Sequence, residues 1–138
     1  MTRSKITRQQ VSEKNRIQHT AALFGIHFPL NIEPAVYSIT SNIASEYKGA
    51  YWEFYQLSNV GFYMAPCSNT TYQVSCENGF EGTLSADALG ITACLYAFSH
   101  LSFTANPTFA DICSNNYHWL REYMLEHKEA NVILSAID

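Results

Sequence analysis

The sequence is poor in charge. Lysine, arginine, aspartate and glutamate make up only 14% of its 138 residues, against about 25% in soluble chains generally. Twelve acids against eight bases leave a net charge of −4. Direct DNA binding is not expected, because such a surface needs an excess of bases to displace counterions from phosphates. A protein that imitates DNA needs the opposite, long acidic runs matching about one charge per 1.7 Å of duplex. The acids here are scattered along the chain, so mimicry is not expected either.

Other absences narrow the class further. The four cysteines, Cys67, Cys76, Cys94 and Cys113, include no C-x-x-C pair and are too sparse for a disulfide scaffold. Free thiols suit a reducing compartment, and the expected location is the cytoplasm. The first ten residues contain Arg3, Lys5 and Arg8 but no apolar core, so they do not read as a secretory signal. The most apolar run, residues 88–103, is broken by Thr92, Ser99, His100 and Ser102. It falls short of the roughly 20 residues that cross a bilayer, and no membrane association is expected. There is no G-x-S-x-G, no phosphate-binding loop and no G-x-G-x-x-G.

What the chain has is apolar and aromatic bulk, 47% and 14% of residues. A chain of this size can bury about 68–70% of its unfolded surface and needs no staple. No repeat, linker or composition shift divides it, so residues 1–138 read as one domain.

Residues 7–23 are polar and read as a surface helix, making residues 1–22 a polar N-terminal helical segment. Gly25 and Pro29 end it. Pro34 suits the first turn of a second helix, with Val36, Ile39, Ile43 and Tyr47 on one face and Gly49 as its cap. Residues 51–57 and 62–65 read as strands joined by a turn at residues 58–61. Residues 71–77 and 80–84 form a second pair about Asn78-Gly79, where both turn positions favour positive φ. Together these make an antiparallel meander of three to four strands.

Ser85 is a good N-cap, and Asp87 lies near the positive end of the following helix dipole. Residues 88–101 are apolar nearly all round, which predicts a buried central helix. A loop over residues 100–114, a helix over 117–126 and a short helix over 130–137 complete the chain. The expected class is α+β, a single compact domain with the sheet packed against the buried helix and flanking helices.

Three groups of residues were candidates for chemistry. His118, Glu122 and Glu126 share one helix face, but with no H-E-x-x-H they read as a solvated stripe, and no metal is expected. Cys113 and His118 offer a cysteine–histidine pair at a spacing with no known geometry. They carry the alternative function, a cytosolic Cys/His-dependent hydrolase. The aromatic cluster at residues 51–63 is the most unusual feature. Alternate residues of a one-faced sheet point outward, and exposed Tyr is favoured at interfaces. Tyr51, Glu53, Tyr55, Asn59 and Tyr63 are therefore the candidate protein-interaction surface.

The ordered strings carry more than composition does. Tyr47-Lys48-Gly49-Ala50-Tyr51-Trp52-Glu53-Phe54-Tyr55-Gln56-Leu57-Ser58-Asn59-Val60-Gly61-Phe62-Tyr63-Met64-Ala65-Pro66 closely resembles the signature block of the ArdB/KlcA antirestriction family. Asn78-Gly79-Phe80-Glu81-Gly82-Thr83-Leu84-Ser85-Ala86-Asp87-Ala88-Leu89-Gly90-Ile91 resembles its second block. Tyr117-His118-Trp119-Leu120-Arg121-Glu122-Tyr123, with His127, Glu129-Ala130 and Ala136-Ile137-Asp138, resembles its third. Ala50 and Val60 stand where the family often has glycine, and Lys128 where it often has proline.

The resemblance covers about residues 23–138. It implies a fold peculiar to the family and relief of type I restriction, protecting incoming DNA of plasmids and genomic islands. It implies no catalytic residue and no cofactor. The expected partner is the type I restriction complex or an associated host protein, and the hydrolase alternative would act on the restriction machinery or a host factor.

Overall fold

The computed structural model describes residues 5–138. Residues 1–4, part of the predicted N-terminal helix, lie outside the described residues. Five strands and five helices follow one another as β1 (Arg8–Val11), α1 (Arg16–Phe24), α2 (Glu33–Ile43), β2 (Trp52–Leu57), β3 (Phe62–Pro66), β4 (Thr71–Ser75), β5 (Glu81–Ser85), α3 (Ala86–Leu101), α4 (Pro107–Met124) and α5 (Ala130–Ile137). A 3-10 turn, Glu13–Asn15, precedes α1, and a π-helical turn, Phe28–Ile32, leads into α2.

The α+β class is as expected, with the strands divided differently. β1, β2 and β3 form one antiparallel sheet in that order, and β4 and β5 form a separate hairpin. The chain does not continue as a meander because α3 occupies the free edge of β3. Gly90 lies so close to that strand that an added Cβ would sit 2.5 Å from the carbonyl oxygen of Met64. At the same edge the Cys94 thiol lies 3.5 Å from both the amide nitrogen and the carbonyl oxygen of Met64. A helix with a glycine at this level can seal a strand edge that would otherwise seek another strand.

The third strand of the first sheet comes from the segment expected to be helical. Arg8, Gln9, Gln10 and Val11 pair with Leu57, Gln56, Tyr55 and Phe54. Arg8, Gln9 and Gln10 are good helix formers, yet they gain backbone partners by closing an open strand edge, and that tertiary gain overrides the local preference. Two helix boundaries also differ. α2 stops at Ile43, and Tyr47 packs from the following loop, where its hydroxyl accepts the Trp52 indole N–H at 2.9 Å. α4 starts ten residues before the predicted Tyr117, with Asn106 accepting the Phe109 N–H and Pro107 in the first turn. Pro107 read as a loop residue, whereas it opens a helix.

The core is built around α3. From Ala88 through Leu95 every residue of that helix is fully buried. It packs against β3, α2, α4 and α5. Beneath it Phe62 meets Phe24, Phe28 and Phe54 edge-on, with centroids 5.5, 5.7 and 5.7 Å apart. Edge-to-face pairs add about 0.5–1.5 kcal/mol each beyond their burial. Phe24 and Phe28 carry α1 and the π-helical turn onto this cluster, and so fix where the outer face of that corner lies.

Candidate functional site

The five residues of the predicted interaction surface go to three places. Tyr51 is exposed, and its hydroxyl donates to Glu13 at 2.6 Å. Its ring lies 5.0 Å from the Arg16 guanidinium, which also sits 4.5 Å from the ring of Phe54. Arg16 donates to Glu53 at 3.4 Å. Tyr51 and Glu53 thus converge on Arg16, a residue of α1 that the sequence did not single out. A guanidinium sandwiched between rings and paired with a carboxylate is held in one orientation.

Asn59 acts elsewhere. Its side-chain amide donates to the Trp119 carbonyl at 2.9 Å, and its side-chain oxygen accepts the Gly61 N–H at 3.1 Å. It fastens the β2–β3 turn to α4. Tyr55 and Tyr63 pair across β2 and β3 and stack at 5.0 Å. Tyr63 is fully buried, contrary to expectation. The ring of Tyr123 on α4 stacks on it at 5.7 Å, so the face that alternation assigns to solvent is roofed by a helix.

The Tyr63 hydroxyl enters a polar cluster with Arg8, Asp87 and His127. It donates to Asp87 at 2.8 Å and accepts from Arg8 at 2.6 Å. Arg8 also donates to Asp87 at 2.7 Å, and lies 4.2 Å from the Tyr55 ring. The other carboxylate oxygen of Asp87 accepts from His127 Nε2 at 2.9 Å. His127 Nδ1 in turn accepts the Glu129 N–H at 3.0 Å, so the ring donates to Asp87 through Nε2. Next to it Glu129 accepts from both the backbone and the hydroxyl of Ser85, at 3.0 and 2.5 Å, while that hydroxyl caps the Ala88 N–H.

Asp87 therefore joins β1, β3, α3 and the loop before α5. Burial opposes its charge, but the hydrogen bonds from His127 and Tyr63 and the charge of Arg8 outweigh it and hold the carboxyl below the usual range. Burial and the nearby Asp87 charge push the Tyr63 phenol far up, so it stays neutral.

This arrangement binds and positions; it offers little for nucleophilic chemistry. Both ring nitrogens of His127 are engaged, which leaves none to take a proton from a nucleophile. Burial pushes the Cys113 thiol up to about 11 and the Cys94 thiol up to about 12, away from reactive thiolate. Cys113, the proposed nucleophile of the hydrolase alternative, is fully buried, whereas His118 is exposed. His118 and Glu122 are exposed on α4, and Glu126 lies past its end. Among the described residues no three His, Cys, Asp or Glu side chains are grouped to hold a metal ion.

Comparison with known proteins supplies the context. The model of the family described as antirestriction protein matches residues 45–138. The chain belongs to the antirestriction protein family. It is 38% identical to the antirestriction protein KlcA of Escherichia coli over 135 residues, covering 96% of this chain and 95% of that one. It is also 36% identical to the uncharacterized protein YafX of Escherichia coli K12, covering 96% of this chain and 88% of YafX. A solved structure from work on KlcA and ArdB matches with a TM-score of 0.90 at 37% identity, over 100% of both chains. Those two proteins show a novel fold, and antirestriction activity against type I DNA restriction systems in vivo but not in vitro.

Within the antirestriction fold the family-like blocks now have physical roles. The first supplies the aromatic core and Tyr63, the second Ser85, Asp87 and Gly90, and the third His127 and Glu129. The sequence reading missed the Asp87 cluster because its members lie as far as 119 residues apart, from Arg8 to His127. Asp87 had a sufficient local explanation in the helix dipole. The one available signal was the recurrence of Asp87, His127 and Glu129 in separate blocks.

Proposed function

We propose that the protein relieves type I restriction of incoming DNA inside the cell, acting in the cytoplasm by protein contact. It does so without catalysis and without imitating DNA. The partner is the restriction complex or a host protein associated with it. The observation that carries this reading is the whole-chain likeness to KlcA and ArdB at a TM-score of 0.90. Their activity in vivo but not in vitro favours a route needing something present in the cell.

The geometry supports the non-catalytic part. His127 is locked between Asp87 and the Glu129 amide, and the buried thiols are protonated. The net charge of −4 supports a mechanism separate from duplex binding and from mimicry. No helix among the described residues is long and apolar enough to cross a membrane.

The test is plating of unmodified phage on a host carrying a type I system, with and without expression of the protein. Plating efficiency is expected to recover by at least an order of magnitude with the protein present. Unchanged efficiency, with the protein accumulated and folded, would refute the proposal.

A further inference from the structure

Beside Arg16 the surface opens into a groove of about 460 Å³ between α1 and the start of α2. Its walls are mainly apolar, formed by Ile17, Ala21, Ile26, Phe28 and Phe54. The rim is unusually bare. Ile17 is 85% exposed, Ile26 67% and, in the adjoining π-helical turn, Leu30 63%. Single exposed aliphatic residues need no explanation, but several around one apolar groove mark a contact surface. A π-helical turn admits one residue more than an α-turn, and here the wider turn buries Phe28 and Ile32 while leaving Leu30 outside.

The charges around the groove indicate what fits it. Two charged side chains line it, Arg16 and Glu33. Arg16 is already neutralised by Glu53 and stacked on Tyr51 and Phe54. Glu33 receives a long hydrogen bond from the Tyr37 hydroxyl, at 3.4 Å, and among the described residues it forms no ion pair. Glu13, bound to Tyr51, adds a second carboxylate on the Arg16 side. Glu13 is held by Tyr51 and Glu53 by Arg16, which leaves Glu33 without a cation among the described residues. The groove thus presents an apolar floor with an unanswered negative charge at one end.

We infer that this groove docks a segment of a partner protein that carries apolar side chains flanked by a lysine or arginine, the cation pairing with Glu33. This rests on the protein-contact reading of function and names the surface and chemistry of that contact. Ile17 and Ile26 would bracket the inserted apolar side chains. Arg16, fixed by its rings and Glu53, forms a rigid wall that costs no further ordering on binding.

The probes are two synthetic helical peptides with one leucine pattern, flanked in one by lysines and in the other by glutamates. Each is titrated into the isotope-labelled full chain and followed by amide chemical shifts. The lysine peptide is expected to shift the amides of Ile17, Ile26 and Phe54, and to bind at least tenfold tighter than the glutamate peptide. Ile26→Asp, at a solvent-exposed position, should weaken the lysine peptide at least tenfold with an unchanged circular dichroism spectrum. Glu33→Gln, which keeps an acceptor for Tyr37, should weaken it about threefold to fivefold and remove most of its salt dependence.

In the phage assay Ile26→Asp should lose restriction relief while accumulating as the parent does. Equal binding of the two peptides, shifts confined to another surface, or full relief by Ile26→Asp would overturn the inference. So would concentration-dependent dimerisation of the parent that Ile26→Asp abolishes, since a second copy would then be the occupant. Failure of the parent itself to relieve restriction would count against the proposed function, while the peptide titrations would still decide the groove.

Discussion

The aromatic run at residues 51–63 and the corner between α1 and α2 behave in opposite ways. The run is densely aromatic, yet Trp52, Phe54, Phe62 and Tyr63 are all withdrawn from solvent. The corner looks unremarkable, with single aliphatic residues spaced among polar ones, yet Ile17, Ile26 and Leu30 stand in water. Residue type sets how much apolar surface must be hidden. Which part stays uncovered depends on what packs over it: α3 and α4 pack over the strands, while among the described residues nothing packs over the outer face of α1, where Ile17 is exposed.

The sharpest way to break that contrast is inside the run. Phe62→Ala removes the ring at the centre of three edge-to-face contacts, and should cost about 3–5 kcal/mol in urea denaturation. A loss below about 1 kcal/mol would mean the cluster is loosely packed and the run less of a core than described.

Next in size is the polar support beneath the run. Asp87→Ala leaves the buried Tyr63 hydroxyl without its acceptor and Arg8 and His127 without their common partner. Stability should fall by about 1–3 kcal/mol at neutral pH. The pH dependence has a definite sign. The folded-state pKa of Asp87 is depressed below its ordinary value of 3.8. Its contribution is therefore complete above about pH 5 and disappears as pH falls through the folded value. The gap between parent and variant should narrow as pH falls below about 5; a gap that widened on acidification would refute the assignment.

A smaller effect of opposite sign is expected at the turn. Val60 adopts φ +70°, a conformation that β-branched residues rarely tolerate. Val60→Gly relieves that strain, offset in part by the greater freedom of glycine in the unfolded chain. A net gain of about 0.5–1 kcal/mol should appear as a melting temperature raised by a few degrees. The smallest effect belongs to the corner. Ile17→Ser, at 85% exposure, should alter stability by less than about 0.5 kcal/mol. Together Phe62→Ala and Ile17→Ser measure the contrast at its two ends.

Much of the fold was legible in the residues because local and global preferences agree there. The Ser85 cap and the all-apolar α3 each specify one structure unaided, and each is present. The Asn78-Gly79 hairpin also forms, but only Gly79 takes a positive φ, +91°, because the turn closes one residue earlier, with the Gly79 N–H donating to the Cys76 carbonyl. The signature strands pair as expected, Gln56 opposite Phe62, and the second runs one residue further than read, to Pro66 opposite Trp52. What stayed hidden depended on distant partners. β1 is a strand only because β2 offers an edge, and Tyr63 is buried only because Tyr123 covers it from α4. Tyr51 and Glu53 meet on Arg16, a residue with no motif around it, so that grouping could not be read from the strand pattern.

The sealing of β3 by α3 has a bearing on self-assembly. The three-stranded sheet has two margins, and Gly90 and Cys94 close one of them against any further strand. Growth could start only from the other, where the four residues of β1 stand in front of the six of β2. β1 is short, and its Arg8, Gln9 and Gln10 are exposed, features that discourage fibril templating. The opening segment of the chain is in this sense a stopper. A version of the protein starting after Val11 would uncork a strand bearing Trp52 and Phe54, and should gel or fibrillate at concentrations where the full chain stays in solution.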